Sequence, residues 1–284
     1  MRNRRDEILA RIADIPSLPT SAVEVIRLVQ SPDSSMGEIM AAIEYDPALT
    51  AEVLRLANSA YFAGPRQVAT LRQAGVLFGT ARILQVVMAA VVAPLARRPL
   101  KGYDLPPGSL LDHLAAVAIG AEELAGALGE VPPRYTFTAG LLHDVGKIVL
   151  GTFVEVDAEP IQRMAFEEKV SFEKAEHAVL GIDHAEVGAA LLESWELPET
   201  IVEAVRWHQE PDERGADNLV VDLVHVADML SVECGLGVGV DGLNYRPSPV
   251  VSKRRKLHTR MLERVTCVML SEFERISQTQ AAGG

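Results

Sequence analysis

The stretch Leu141-Leu142-His143-Asp144-Val145-Gly146-Lys147 lies within an apolar segment whose periodicity predicts one helix from about residue 134 to residue 153. Neighbouring residues on a helix point about 100° apart, so His143 and Asp144 do not share one face. Both still reach a single metal ion if that ion lies beside the helix, between their two directions. An imidazole with a carboxylate suits iron, manganese or zinc. The alternative is a buried His–Asp pair that only holds helices together.

Two further side chains favour a metal site over a purely structural pair. His113 falls on a predicted helix from about residue 109 to residue 128, which precedes the His-Asp stretch. Asp228 falls within the apolar part of a predicted helix over residues 217–234. A carboxylate in such a stripe is costly unless it is paired or coordinates a metal ion. His113 and Asp228 therefore join the candidate ligands.

Helical periodicity continues along nearly the whole chain and predicts an all-α protein. Ser21–Glu24 and Ser35–Glu38 have the spacing of capping boxes, and Asp46-Pro47 is typical of a cap followed by proline in the first turn. Gly79 predicts the end of a helix. Strand-like alternation is confined to a short stretch at residues 238–243. Further helices are predicted over residues 171–180, 184–195, 199–208 and 257–276.

The stretch from Arg97 to Gly108 is the clearest linker in the first half of the chain, because it contains three prolines and two glycines. It predicts two helical parts, residues 1–100 and residues 105–276. The candidate ligands all fall in the second part.

Composition and charge narrow the classes of function. The chain has 284 residues and a formal net charge of −12, and an acidic surface repels phosphate backbones, so we expect no nucleic-acid partner. The apolar segment 83–96 is too short for a bilayer, which needs about 20 residues, so we expect no membrane span. The two cysteines form no CxxC pair, which suits a reducing compartment. The expected location is the cytoplasm.

Several short motifs occur in a recognisable order along the chain. They are Ser17-Leu-Pro19, Asp46-Pro-Ala-Leu-Thr50, Leu54-Arg-Leu-Ala-Asn58-Ser59-Ala-Tyr61-Phe62, Ala74-Gly-Val-Leu-Phe-Gly79 and Trp195-Glu-Leu-Pro198. Over roughly residues 15 to 230 the chain thereby resembles the HDOD family, bacterial signalling relatives of the metal-dependent HD phosphohydrolases. The resemblance implies an HD-domain-like bundle of many helices with an N-terminal helical subdomain.

The resemblance also implies roles for the candidate residues. In the HD superfamily a His…His-Asp…Asp order, here His113, His143, Asp144 and Asp228, holds a divalent cation that activates water for phosphoester cleavage. Asp144 and Lys147 would then be catalytic, with Lys147 beside the phosphate; the alternative for Lys147 is a surface lysine that caps a helix. Histidines at the places of His184 and His208 bind a second ion in the HD-GYP branch. We expect one or two divalent transition-metal ions, with iron or manganese favoured.

One departure separates this chain from the HD-GYP branch. Gln209 stands where that branch has the second histidine of a pair, and residues 210–215 contain no Gly-Tyr-Pro. Hydrolysis of cyclic dinucleotides is therefore not expected. The favoured hypothesis is a regulatory module that binds a signalling protein partner or a small phosphorylated ligand. The alternative is a metal-dependent phosphohydrolase acting on a nucleotide or another phosphoester. His225, one turn before Asp228, is expected to support the ligands.

Overall fold

The computed structural model describes residues 4–59, 62, 67–242 and 244–282, with side chains as far as residue 275. This part of the chain is mostly helical and contains no β-strand, which confirms the all-α prediction. The helices are α1 (Arg4–Arg11), α2 (Thr20–Gln30), α3 (Met36–Glu44), α4 (Pro47–Ala57), α5 (Leu71–Ala96), α6 (Ser109–Ala127), α7 (Thr136–Leu142), α8 (Gly146–Val156), α9 (Ala158–Glu167), α10 (Phe172–Leu180), α11 (His184–Ser194), α12 (Glu199–Trp207), α13 (Leu219–Glu233), α14 (Pro249–Arg254) and α15 (Thr259–Ala282).

The possible strand at residues 238–243 is wrong where the structure describes it. Val240–Gly242 form a turn of 3-10 helix, and Leu243 lies outside the described residues. Tyr61, part of one of the family motifs, also lies outside them.

Helix starts in the first half show how local chemistry sets the fold. Asp46 caps α4 by accepting from the backbone nitrogens of Ala48 and Leu49, with Pro47 in the first turn, and Ser35 forms a complete capping box with Glu38. The box predicted at Ser21 is wrong, because α2 begins at Thr20 and Ser21 therefore lies inside the helix. The Ser21 hydroxyl instead donates to Asp46 Oδ2 at 3.0 Å. It thereby links the starts of α2 and α4.

Helix α5 bends at Gly79, whose φ of 67° and ψ of 177° are not helical, so the predicted break is present. Two helical stretches, Leu71–Ala96 and Thr136–Val156, are long and apolar enough to cross a membrane by length and composition alone. Their most apolar windows are 50% and 83% buried inside the protein. Packing in the core explains this composition, since a helix that is apolar all round is often a core helix.

The predicted linker between residues 97 and 108 is packed against the rest of the protein. Leu100 and Leu105 pair through their backbones, and the Tyr103 side chain between them is fully buried. Its hydroxyl donates to Glu176 Oε1 at 2.6 Å. The segment therefore contributes the Tyr103 side chain to the protein interior. The division of the chain into two helical parts stays a prediction.

The second half of the chain is built around α6. This helix packs against α7, α13 and α15, while α11 packs against α8 and α12. The first turns of α6, the start of α11, the ends of α7 and α12 and the central part of α13 meet in the interior, where the candidate ligands lie.

Candidate metal centre

His143 and Asp144 lie in a three-residue turn between α7 and α8, so the predicted continuous helix is wrong at this point. The backbone stays tightly wound, because Val145 N bonds Leu142 O and Lys147 N bonds Asp144 O, both at 3.0 Å. A Cβ atom at Gly146 would lie 1.9 Å from His184 O, so only glycine permits this approach. The close approach brings the turn directly against the start of α11.

All six predicted ligand residues converge on one buried point. His113 comes from α6, Asp228 from α13, His184 from the first position of α11, and His208 follows the last residue of α12. The six side chains are buried. The structure therefore brings together residues that are spread over more than a hundred positions of the sequence.

One part of the centre consists of His113, His143 and Asp228. The Nε2 atoms of the two histidines are 3.2 Å apart. Asp228 Oδ1 lies 3.0 Å from His113 Nε2 and 3.7 Å from His143 Nε2. One donor atom from each residue lies within 4.8 Å of the other two, which is close enough for a shared metal ion.

Asp144 lies between this part and a second part formed by His184 and His208. Its Oδ2 is 3.5 Å from His113 Nε2 and 3.4 Å from His143 Nε2. Its Oδ1 is 3.3 Å from His184 Nε2 and 3.6 Å from His208 Nε2. The two carboxylate oxygens thus face different pairs of histidines, an arrangement that can place one carboxylate between two cations.

Each histidine of the centre is oriented through its other ring nitrogen. Backbone carbonyl oxygens only accept, so Nδ1 donates to them and leaves the lone pair on Nε2 directed at the centre. These contacts are His113 Nδ1 to Leu236 O at 3.0 Å, His143 Nδ1 to Gly140 O at 2.7 Å and His208 Nδ1 to Val205 O at 2.7 Å. Metal-ligating histidines are normally held in this way.

Glu176 does the same for His184, and sequence reasoning missed it. Its Oε2 is 2.7 Å from His184 Nδ1 and accepts from the backbone nitrogen of His184 at 3.1 Å. Its other oxygen accepts from the Tyr103 hydroxyl. The signal was available: Glu176 stands in the apolar face of a predicted helix, the same pattern that singled out Asp228.

Several buried polar atoms at the centre have no hydrogen-bond partner. Among the described residues these are Asp144 Oδ1, His184 Nε2, His208 Nε2 and Asp228 Oδ2, and only two threonine hydroxyls share the property. An unsatisfied buried polar atom costs about 1–3 kcal/mol. Four such atoms in one centre fit one or two bound cations, which would give them partners.

Strong electrostatic coupling shifts the pKa values of these groups. Burial alone would lower the pKa of His143, but the carboxylates of Asp144 and Asp228 outweigh it and raise that pKa to about 10. Burial likewise would lower the pKa of His184, but the carboxylates of Glu176 and Asp144 outweigh it and raise that pKa to about 9. Burial lowers the pKa of His208 to about 4. A cation at the centre therefore competes with protons on His143 and His184.

Lys147 is not a surface lysine, so that alternative is wrong. It is 5% exposed, and its Nζ lies 2.5 Å from Asp144 Oδ2. The same nitrogen also donates to Asp241, and the Tyr103 ring centre is 5.6 Å away. The amine is therefore engaged by two carboxylates at the edge of the centre.

The remaining expectation concerned His225, which does contact the ligand region. Its Nδ1 lies 2.7 Å from the backbone oxygen of His208, and its Nε2 accepts from Ser248 N at 3.0 Å. His225 thus holds the turn that carries His208. His177 lies elsewhere, 56% exposed and 3.5 Å from Asp183.

A short stretch that we call the covering segment, Leu236–Gly242, closes the centre on one side. Beneath it a cavity of only about 20 Å³ remains. That is room for about one water molecule. The cavity is lined by His113, Lys147, Gln209, Asp228, Val232, Gly237, Val238, Asp241, Gly242 and Tyr245.

Comparison with known proteins agrees with this fold. The family model of the HDOD domain matches residues 15–211, so Asp228 and the covering segment lie beyond the matched stretch. An uncharacterized protein of Treponema pallidum (strain Nichols) is 30% identical over 202 residues, which are 71% of this chain and 39% of that protein. The chain therefore spans about two fifths of the length of this curated relative.

Solved structures share the whole fold. A protein from Shewanella amazonensis SB2B, provisionally named a phosphohydrolase, superimposes with a TM-score of 0.72 at 25% identity, covering 96% of this chain and 97% of that one. An HDOD domain protein of unknown function from Geobacter sulfurreducens gives a TM-score of 0.69 at 24% identity, covering 98% and 97%. With its matching family model and its HD-domain-like helical bundle, the chain belongs to the HDOD family.

Proposed function

We propose that this protein is a metal-binding regulatory module of the HDOD family that acts in the bacterial cytoplasm. The observation that carries the proposal is the set of inward donor atoms, four of them without any hydrogen-bond partner, beneath a cover that leaves about 20 Å³. The donors suit a cation, and the cover in its seated position leaves no room for a phosphoester beside it. In this function the centre signals to a protein partner or responds to a small phosphorylated ligand.

The donor set indicates the class of ion. His113, His143, Asp144 and Asp228 would hold a first cation, and His184 and His208 with the other oxygen of Asp144 would hold a second. Imidazole and carboxylate without thiolate favour manganese or iron over a closed tetrahedral zinc site. A divalent cation there supplies Lewis acidity and can lower the pKa of a bound water.

A metal-dependent phosphohydrolase is the second candidate. It is favoured by the position of Asp144 between the two histidine pairs, by the Lys147 ammonium beside that carboxylate, and by the provisional name of the Shewanella amazonensis relative. In that function Asp144 and Lys147 would be the catalytic residues: Asp144 orients what is bound between the histidine pairs, and Lys147 offsets negative charge on a phosphate.

Metal analysis and a hydrolysis assay test the proposal together. Protein purified without chelators or an affinity metal is expected to contain manganese or iron, and His208→Ala is expected to lose part of it. The exposed His258 offers a matched control, His258→Ala, that should retain the full content. Protein without metal-binding capacity would refute the proposal.

The assay then separates the two candidate functions. A regulatory module loaded with Mn²⁺ or Fe²⁺ is expected to show no steady-state turnover on nucleotides, cyclic dinucleotides or generic phosphoesters. Metal-dependent turnover that disappears in Asp144→Ala, but not in a variant of the exposed Asp33, would establish the hydrolase instead.

A further inference from the structure

The covering segment contacts the centre through a charged side chain and through its backbone. Asp241 contacts the Lys147 ammonium through Oδ2, while its Oδ1 accepts from Gly239 N at 3.1 Å. Leu236 O accepts from His113 Nδ1 at 3.0 Å. One end of the segment therefore supports a candidate ligand, and its middle places a carboxylate on the lysine.

The segment is seated so closely that side chains are excluded at two of its positions. A Cβ atom at Gly239 would lie 1.8 Å from Tyr103 O, and one at Gly237 would lie 2.2 Å from Ser109 O. Both obstacles are backbone atoms, which cannot rotate away as a side chain can. The segment can occupy this place only with glycine at these positions.

A phosphate group and the seated segment exclude one another. The remaining cavity of about 20 Å³ holds about one water molecule, whereas a phosphate group carries four oxygens around phosphorus. An anionic ligand that reaches Lys147 beside the candidate ligands must displace the segment.

The two carboxylates on Lys147 differ in how firmly they are held. Asp144 lies in the buried turn between α7 and α8. Asp241 lies in a one-turn 3-10 helix within a glycine-rich stretch, and no residue of that turn is fully buried. A carboxylate and a phosphate oxygen are alike as anionic acceptors for an ammonium group.

We propose that the covering segment is a built-in competitor for phosphate, in which the Asp241 carboxylate occupies the position on Lys147 that a phosphate oxygen of the ligand takes when the segment withdraws. This inference rests on the proposed metal-binding function, because it assigns the ligand class and the control of the same centre. Phosphate-bearing ligands and the segment then bind in alternation.

Inorganic phosphate is the probe, titrated calorimetrically into the full chain with and without Mn²⁺. Asp241→Asn keeps the size of the side chain and an oxygen for Gly239 N, but it removes the charge that competes for Lys147. We expect phosphate affinity to rise about tenfold, the value of one charge-assisted hydrogen bond. Asp33→Asn makes the same charge change at an exposed position and should leave phosphate affinity unchanged.

A second variant displaces the segment without altering charge. Gly239→Ala cannot be accommodated against Tyr103 O, so we expect it to raise phosphate affinity as well and to speed removal of Mn²⁺ by a chelator. Gly126→Ala is the matched control, since a Cβ atom there meets nothing within 4 Å.

The outcomes separate this inference from the function on which it rests. Higher phosphate affinity in both variants, with both controls unchanged, supports the competition. Unchanged phosphate affinity in Asp241→Asn overturns the inference, because Asp241 is then only a counterion of Lys147. If phosphate affinity rises in Gly239→Ala alone, the segment excludes phosphate by its volume only, which also overturns the inference. Should Asp241→Asn not fold, unchanged affinity in Gly239→Ala overturns it too. Absence of Mn²⁺ binding refutes the metal function, while the comparison of phosphate affinities without metal still decides the role of Asp241.

Discussion

Replacing Glu176 by glutamine should weaken metal binding without unfolding the protein. Glu176 is fully buried and receives three hydrogen bonds, from the Tyr103 hydroxyl, the His184 ring and the His184 backbone nitrogen. A glutamine side chain has the same shape but only one accepting oxygen. Its NH₂ group therefore faces at least one of the three donor groups, and that hydrogen bond is lost. The His184 ring then loses its orientation and the basicity that a carboxylate partner provides.

The magnitude follows from the bond that is lost. A hydrogen bond to a charged group is worth about 1.5–3 kcal/mol, which corresponds to roughly 10- to 100-fold in a binding constant. We therefore expect Glu176→Gln to weaken Mn²⁺ binding by that factor, measured by competition with a chromophoric chelator. The thermal stabilisation that saturating Mn²⁺ confers on the wild type should shrink in the variant, because a ligand stabilises the folded state by RT ln(1 + [L]/Kd).

Glu173, one turn earlier on α10, provides the control. Burial, reinforced by the carboxylate of Asp183, raises the pKa of Glu173 to about 8, so this side chain is mostly protonated at neutral pH. Glutamine resembles a protonated glutamate, and Glu173→Gln should bind Mn²⁺ as the wild type does. Equal affinity in Glu176→Gln and the wild type, or equal loss in both variants, would refute the role assigned to Glu176.

Three further expectations concern pH and packing. Mn²⁺ affinity should rise with pH from 6 to 9, because His143 and His184, with pKa values of about 10 and 9, must release protons to bind a cation. Calorimetric titrations in buffers of different ionisation enthalpy would count the released protons. An affinity that does not change with pH would contradict the assignment. Gly146→Ala should destabilise the fold by about 3 kcal/mol or more in urea denaturation, since its Cβ would lie 1.9 Å from His184 O, whereas Gly126→Ala should not. The pKa of Glu173 is about 8 in the folded protein against an ordinary glutamate value of 4.5, so the folded protein holds this proton more tightly than the unfolded chain does. Its contribution therefore favours the folded state at low pH and is lost as pH rises toward 8. Glu173→Gln should flatten the fall in melting temperature between these two pH values, and an unchanged slope would rule this out.

Local features of the chain were predictable because their causes lie within a few residues. The cap at Asp46, the capping box at Ser35 and the break at Gly79 depend on backbone groups one to three positions away. Ser21 shows the limit of this reasoning. Ser21 and Glu24 have the spacing of a capping box, but the Ser21 hydroxyl donates to Asp46, the cap of another helix, instead.

The candidate ligands could also be identified from the sequence, since a histidine or aspartate within an apolar helix is costly without a partner. The order His113, His143, Asp144 and Asp228 then matched a known superfamily. Their convergence agrees with that expectation, while their action as metal ligands stays a prediction.

Three features of the site were decided by the tertiary structure alone. The turn at His143 interrupts an apolar pattern that predicts one helix, and Gly146, directly after this turn, lies against the backbone of α11. The cover over the centre comes from residues 236–242, where the sequence showed only a short strand-like alternation that the structure replaces with a turn of 3-10 helix. The charge on Lys147 is engaged by Asp241, 94 positions away.

The sequence by itself determined the all-α class, the main helix starts and the identity of the candidate ligands. Each of these depends on periodicity, on short-range hydrogen bonding or on the free energy of burying one polar side chain. Only the tertiary structure decided that Glu176 orients His184, that Lys147 is buried between two carboxylates and that one side of the centre is covered. Those properties depend on the distances between elements far apart in the chain, and such distances follow from how all the helices pack together, which no local pattern encodes.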